Sequence, residues 1–286
     1  MFRPIDTRDP AAVEDEVGSI YATLFPAAGR AFVPMAFAWA AQCFGGRHPD
    51  YLPIDAGYHD FEHTLQGALC LTRLLRGRHA AGAAPALTVR AFELGLLAIL
   101  FHDTGYLKRR GDTEGTGAKY TAVHVERSAA FAAEFLAPKG LIDGELLAVQ
   151  NMIHCTGIGT NLRAIRFQNE LERTVGFALG TSDLLGQMAA PDYVEKLPVL
   201  YHEFAEAARN APAGSAHLFA YASADELMRK TPIFWEKYVR PKVDGDFRRI
   251  HAFLSDPYPD GPNDYLRRIE ANIARLRQKA ESAGDA

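Results

Sequence analysis

The sequence has little of what marks a secreted, membrane-spanning or nucleic-acid-coating protein. Only three cysteines occur in 286 residues, Cys43, Cys70 and Cys155, and no two share CxxC spacing. That spacing argues against both a disulfide framework and a thiolate zinc site. No apolar run is long enough to cross a bilayer, and the opening MFRPIDTRDPAAVEDEV lacks the basic-then-apolar pattern of a secretory leader. A basic excess is missing too: 31 Lys and Arg face 35 Asp and Glu, a net charge of −4. A general nucleic-acid binder would carry the opposite balance, although a local site for a small anion is compatible with it. Internal repeats, low-complexity tracts and linkers are absent as well. These absences predict a soluble protein of a reducing, cytoplasmic compartment, with neither membrane nor nucleic acid as partner.

What is present is ordinary globular composition, 48% hydrophobic and 23% charged, which excludes disorder for most of the chain. Stretches rich in Ala and Leu cover 31–44, 64–75, 86–101, 121–136 and 144–153, with polar residues at helical spacing and no sustained period-two alternation. Residues 169–187, 193–208, 224–254 and 263–279 continue the theme. Pro232 and Pro241 are expected to break 224–254 into shorter helices. Segment 109–119, with Gly111, Gly115 and Gly117, reads as a turn-rich, mobile connection, and 282–286 as a frayed end. The expectation is an all-α protein, one domain over 1–286, with a motif core at 57–188 and additional helices at 191–282.

The informative residues are polar ones inside apolar helices. His102 and Asp103 close the run LLAILFHDTGY, where burying both is costly unless something pairs with them. His124 sits between valines in YTAVHVERSA, His154 follows Met152 and Ile153, and Asp183 lies in FALGTSDLLGQM. His59 and His63, in YHDFEHT, are four apart and so share a helical face. Singly, each reads as a satisfied core histidine or a helix-capping aspartate. As a set, each on its own helix or helix end, they suggest convergence in a bundle interior. A donor set of imidazoles and carboxylates suits Zn, Fe, Mn or Mg.

Those residues carry a family resemblance. Tyr58-His59-Asp60-Phe61-Glu62-His63 resembles the Y-H-N-x-x-H signature of class I cyclic-nucleotide phosphodiesterases. His102-Asp103 resembles the doublet that names the HD superfamily of metal-dependent phosphohydrolases, an all-α fold, and Asp183 falls where that superfamily has its last aspartate ligand. The resemblance implies an HD-type helical bundle in which His63, His102, Asp103 and Asp183 hold a first metal. It also implies that Asp103 bridges to a second metal, with His124 and His154 as further ligands. His59 matches the histidine that protonates the leaving oxygen, so His59 and Asp103 are the catalytic candidates. The implied cofactors are two divalent ions, of Mn, Mg, Fe, Zn or Ni. Asp60 stands where the pattern has Asn, and Gln66 where it has Asp. No counterpart of the nucleotide-reading glutamine is present, so nucleotide specificity does not transfer.

Phosphate-ester hydrolysis needs an activated water, charge neutralisation at phosphorus and a proton for the leaving group. Lys108, Arg109 and Arg110 follow the doublet, and Lys108 and Arg109 are candidates to hold a substrate phosphate. Phe234, Trp235, Tyr238, Phe247, Phe253, Tyr258 and Tyr265 gather in the last third, more in the manner of a core than of a base-stacking surface. The expected function is hydrolysis of a small phosphorylated substrate, with nucleotides among the candidates. The alternatives are a diiron oxygenase on the same scaffold and a non-catalytic metal-binding regulatory module. The oligomeric state is left open by the sequence, with a homodimer compatible.

Overall fold

Asp9, Asp60, Thr88, Asn169 and Ser223 each accept a hydrogen bond from a backbone N–H two or three residues on, and each starts a helix. The computed structural model describes residues 2–212 and 216–284. Ten α-helices run through them: α1 (Pro10–Leu24), α2 (Phe32–Phe44), α3 (Phe61–Ala80), α4 (Val89–Phe101), α5 (His124–Leu136), α6 (Asp143–Ile153), α7 (Glu170–Met188), α8 (Tyr193–Asn210), α9 (Ala224–Phe234) and α10 (Asp264–Gly284). The protein is all-α, 68% helical, and no strand forms among the described residues. Two isolated bridges, Tyr51 with Arg109 and Ser255 with Asn263, are the only β-type pairings among them. No helix among the described residues is long and apolar enough to cross a membrane.

The core is built around α3. Its residues from His63 to Leu75 are all buried, and it packs against α7 more extensively than any other two helices pack together. Such all-round burial places a helix at a bundle centre. Glycine makes the approach close: a Cβ on Gly186 would stand 2.8 Å from the Gln66 carbonyl oxygen. The α3 and α7 backbones therefore touch within one turn of His63 and Asp183. α1 and α4 flank α3, while α5 and α6 pack together beyond α4. α10 packs on α7, α8 and α9. The three cysteines are free and buried.

Four expectations are corrected. α1 was not anticipated, although Val13, Val17, Ile20 and Tyr21 form its buried stripe and Asp9 and Pro10 start it. Pro232 and Pro241 do not separate helices. The backbone stays helical through Asp246, with π turns at Trp235–Val239 and Lys242–Asp246. A wider turn relieves the crowding and the missing N–H that proline imposes. Segment 109–119 is tied down: Gly117 N donates to Asp55, Thr116 N and Oγ1 donate to Glu206, and Lys119 Nζ bonds Asp112 at 2.6 Å. At the other end α10 continues through Gly284, and Asp285 and Ala286 lie outside the described residues. Of the C-terminal aromatics, Trp235, Phe247 and Tyr265 are buried in the core.

Candidate metal centre

Four elements aim side chains at one buried point. α3 supplies His63 in its first turn, behind the Asp60 cap. The end of α4 supplies His102, and Asp103 follows at the start of the 3₁₀ turn Thr104–Tyr106. α7 supplies Asp183. All four are buried. His63 Nε2 stands 3.2 Å from Asp103 Oδ2 and 3.3 Å from Asp183 Oδ1, and His102 Nε2 stands 3.3 and 3.5 Å from the same two oxygens. Four ligands bound tetrahedrally at about 2.1 Å from one cation are about 3.4 Å apart. One ligand atom each from His63, His102 and Asp103 lies within 4.8 Å of the other two. His102 Nε2 and Asp103 Oδ2 are fully buried, with no directed hydrogen bond among the described residues. Unsatisfied buried polar atoms are costly, and a divalent ion between them would satisfy both. The donor set therefore fits a metal ion.

Two of the three imidazoles are presented in the same way, while His63 Nδ1 is buried with no hydrogen-bond partner among the described residues. His102 Nδ1 donates to the Ile99 carbonyl at 2.7 Å, and His124 Nδ1 donates to the Thr121 carbonyl at 2.6 Å. A carbonyl can only accept, so both rings carry their proton on Nδ1 and turn Nε2 inward. His124, the first residue of α5, lies on the other side of the aspartate, its Nε2 3.9 Å from Asp103 Oδ1. The two Asp103 oxygens thus face different histidines. Gly105 permits this arrangement, because a Cβ there would lie 2.0 Å from the His124 carbonyl oxygen.

The electrostatics follow from burial against pairing. Burial alone would depress the His63 imidazole, but the close approach of the Asp103 and Asp183 carboxylates and their charges lift it to about 10. The His102 ring is raised in the same way. Burial would raise Asp103 and Asp183, yet the two imidazoles hold both below the usual carboxylate range. His124 is lowered, because its burial outweighs the attraction of Asp103. In the metal-free chain, a proton on His63 supplies positive charge of the kind a cation would bring.

Next to this cluster lies His59, whose Nδ1 is 2.6 Å from Glu203 Oε2. Glu203, from α8, also accepts from Tyr58 N at 2.6 Å and His59 N at 3.3 Å. Burial would raise this carboxyl, but the facing His59 ring and the two N–H groups keep it below the ordinary glutamate range. Tyr106, fully buried, stacks between His59 and His124 with ring centroids 4.7 and 4.9 Å away. A second relay fixes Asp183: Tyr58 OH donates to Gln187 Oε1 at 2.8 Å, and Gln187 Nε2 donates to Asp183 Oδ1 at 3.2 Å.

Of the residues expected from the sequence, His63, His102, Asp103 and Asp183 converge, and His59 and His124 adjoin them. His154 begins a short 3₁₀ turn and lines an open hollow of about 500 Å³ with Glu126, Asn151 and Arg166. Among the described residues no ion pair or ring contact joins it to Asp103 or His124. Lys108 is engaged elsewhere, its Nζ 2.8 Å from Asp55 Oδ2 and donating to the Gly115 carbonyl. Arg109 lies exposed over the Tyr51 ring, and Arg110 donates to the carbonyls of Gly46, His48 and Pro49. Glu203, Gln187 and Tyr106 were not anticipated. Glu203 is 144 residues from His59, and only the Tyr106 position, three after Asp103, offered a signal. Asp60, the departure from Asn, caps α3 through His63 N at 2.8 Å and also bonds Lys196.

The model of the Npun_R2479-like family covers residues 38–253, which include every residue of the cluster, and the chain belongs to that family. No curated protein matches the chain.

Proposed function

We propose that this member of the Npun_R2479-like family is a metal-dependent phosphohydrolase of the HD type, cleaving a small phosphate mono- or diester, with nucleotides among its candidate substrates. Support comes chiefly from one observation: Asp103 presents Oδ2 to His63 and His102 and Oδ1 toward His124, the disposition a carboxylate needs to serve two cations. Divalent ions held there would supply Lewis-acid polarisation of the phosphoryl oxygens and an acidified water.

The chain's own residues supply the rest. His63, His102 and Asp183 would hold the first ion, and His124 faces the second position. His59 is the candidate general acid. With Nδ1–H held by Glu203, its proton for the leaving oxygen sits on Nε2. Glu203 is ionised, so it stabilises the imidazolium that must form before that transfer and fixes the ring's orientation. Tyr106, clamped between His59 and His124, fixes the acid and the ligand by stacking on both rings, whose planes lie 38° apart.

The test is reconstitution of chelated protein under anaerobic conditions with Mn, Mg, Co, Zn, Ni or Fe. Each preparation is scored on phosphomonoesters and on cyclic and linear phosphodiesters. Turnover with redox-inert ions is expected. Iron-dependent oxygen uptake without ester cleavage would replace the hydrolase with an oxygenase. Metal binding with neither activity would leave a regulatory module.

A further inference from the structure

Residues 58–63 carry two groups with different tasks, the candidate acid His59 and the ligand His63, and α8 grips this segment at two places. Lys196 and Glu203 are seven residues apart on α8, two turns or about 10 Å along one face. Glu203 takes the leading end of the segment. Tyr58 N and His59 N donate to its Oε1, and His59 Nδ1 stands 2.6 Å from its Oε2. Lys196 takes the trailing end, donating to Glu62 Oε2 at 2.8 Å and to Asp60 Oδ2 at 3.3 Å. Between the two on α8, Val199 meets the chain where it has no side chain: a Cβ on Gly57 would lie 2.9 Å from Val199 Cγ1.

Lys196 is not a solvated surface lysine. Its side chain is 21% exposed and that of Glu62 is 15% exposed. Burial would lower the ammonium, but Glu62 and then Asp60 raise it above the ordinary lysine value, so its charge persists. Asp60 gives its two oxygens to different partners. Oδ1 accepts from His63 N at 2.8 Å and starts α3, while Oδ2 accepts from Lys196. Asparagine, which the pattern this segment resembles has at that place, caps a helix equally well. It would, however, turn an NH₂ group toward the ammonium. The aspartate at 60 therefore has its reason in Lys196, 136 residues away. Glu62 is shared too, its other oxygen accepting from Thr7 Oγ1 at 3.2 Å.

We propose that Lys196 is a positioning residue: by holding Asp60 and Glu62 while Glu203 holds His59, it sets where His59 stands relative to His63 and to the metal His63 would hold. The two rings lie 5.4 Å apart and nearly perpendicular, at 84°. A general acid must stand within about 3 Å of the atom it protonates. A segment free to shift on α8 would thus lose proton transfer without losing the metal. The role of His59 as an acid rests on the function proposed above, whereas the docking of 58–63 on α8 rests on the contacts alone.

The metal-loaded full chain is compared with Lys196→Met, Lys196→Arg, Asp60→Asn and the Lys196→Met/Asp60→Asn double variant. Methionine keeps an apolar stem and removes the charge. In Lys196→Met, amide exchange at Tyr58 and His59 is expected to quicken about tenfold relative to core amides of α4 and α7, with metal content unchanged. Turnover should fall about tenfold on an ester with a poor leaving group and about threefold or less on a nitrophenyl ester. Lys196→Arg should recover most of both. Asp60→Asn should quicken the same amides when Lys196 is present and add nothing once it is methionine. Wild-type exchange at Tyr58 and His59 in Lys196→Met, or a double variant whose two effects simply add, would overturn the assignment. So would equal losses on the two esters with a lower melting temperature and uniformly faster exchange, which would leave Lys196 a stabilising contact only. A wild-type chain that cleaves no ester with any metal would fail the hydrolase reading instead, and the exchange and double-variant results would still decide the role of Lys196.

Discussion

At the scale of single residues, Asp103 and Glu203 separate two roles. Asp103 faces imidazoles with both oxygens, so Asp103→Asn removes charge from every cation position the cluster offers. It is expected to strip more metal than His63→Ala or His124→Ala, at least tenfold in affinity, as read by metal analysis after dialysis at matched free-metal concentration. If Asp103→Asn holds as much metal as His124→Ala, the aspartate is not shared. Among the described residues, Glu203 hydrogen-bonds only to His59 and the adjoining backbone. Glu203→Gln keeps an acceptor for Nδ1–H but loses the charge that steadies an imidazolium. Metal content should stay at the wild-type level. Turnover should fall about 10²-fold on an ester with a poor leaving group, and much less on a nitrophenyl ester. Equal losses on the two esters would detach His59 from leaving-group protonation.

At the scale of elements, α8 is the organiser that the sequence concealed. Lys196, Glu203 and Glu206 lie seven and three residues apart, on one helical face. They hold Asp60 and Glu62, then His59, then Thr116. Removing Glu206 should free the 112–117 turn without disturbing the metal. In Glu206→Ala, amide exchange at Thr116 and Gly117 is expected to quicken about ten- to hundredfold, the worth of a lost charged hydrogen bond of about 1.5–3 kcal/mol. Unchanged protection there would mean that Asp55 alone secures the turn. Legibility divides along the same line. The helices and the His63, His102, Asp103 and Asp183 set could be read because apolar periodicity is local, and because a charge inside an apolar run is conspicuous without knowledge of its partner. Glu203 could not, since a glutamate on an amphipathic helix looks like any solvated one until the chain brings it back 144 residues to His59. Lys108 misled for the complementary reason: proximity in sequence to His102 says nothing of Asp55, which takes its charge. The prolines at 232 and 241 misled because local rules anticipate a break where packing sustains a widened helix.

At the scale of the whole molecule, the cluster couples folding to pH, and the sign of that coupling depends on metal. His63 rises from an ordinary 6.5 to about 10 on folding, and His102 moves the same way. A group raised on folding stabilises the native chain fully below its unfolded value and loses that contribution as the pH climbs through the folded one. Asp103 and Asp183 move below the ordinary 3.8, so their contribution is present above that value and is lost as the pH falls. For these four groups the metal-free protein is therefore most stable between about pH 4 and 6.5, and weakens from there toward pH 10. A bound cation needs the very lone pairs those protons occupy. Its apparent affinity should climb about tenfold per pH unit for each proton displaced. Thermal melts of chelated and Mn-loaded protein at pH 6, 7, 8 and 9 read both slopes together. The chelated melting temperature is expected to fall across the series and the metal-induced increment to grow, with His63→Gln flattening both. A chelated protein that becomes more stable from pH 6 to 9, with an increment independent of pH, would mean that proton and cation do not compete. The buried cluster would then be an ion-pair network rather than a metal centre.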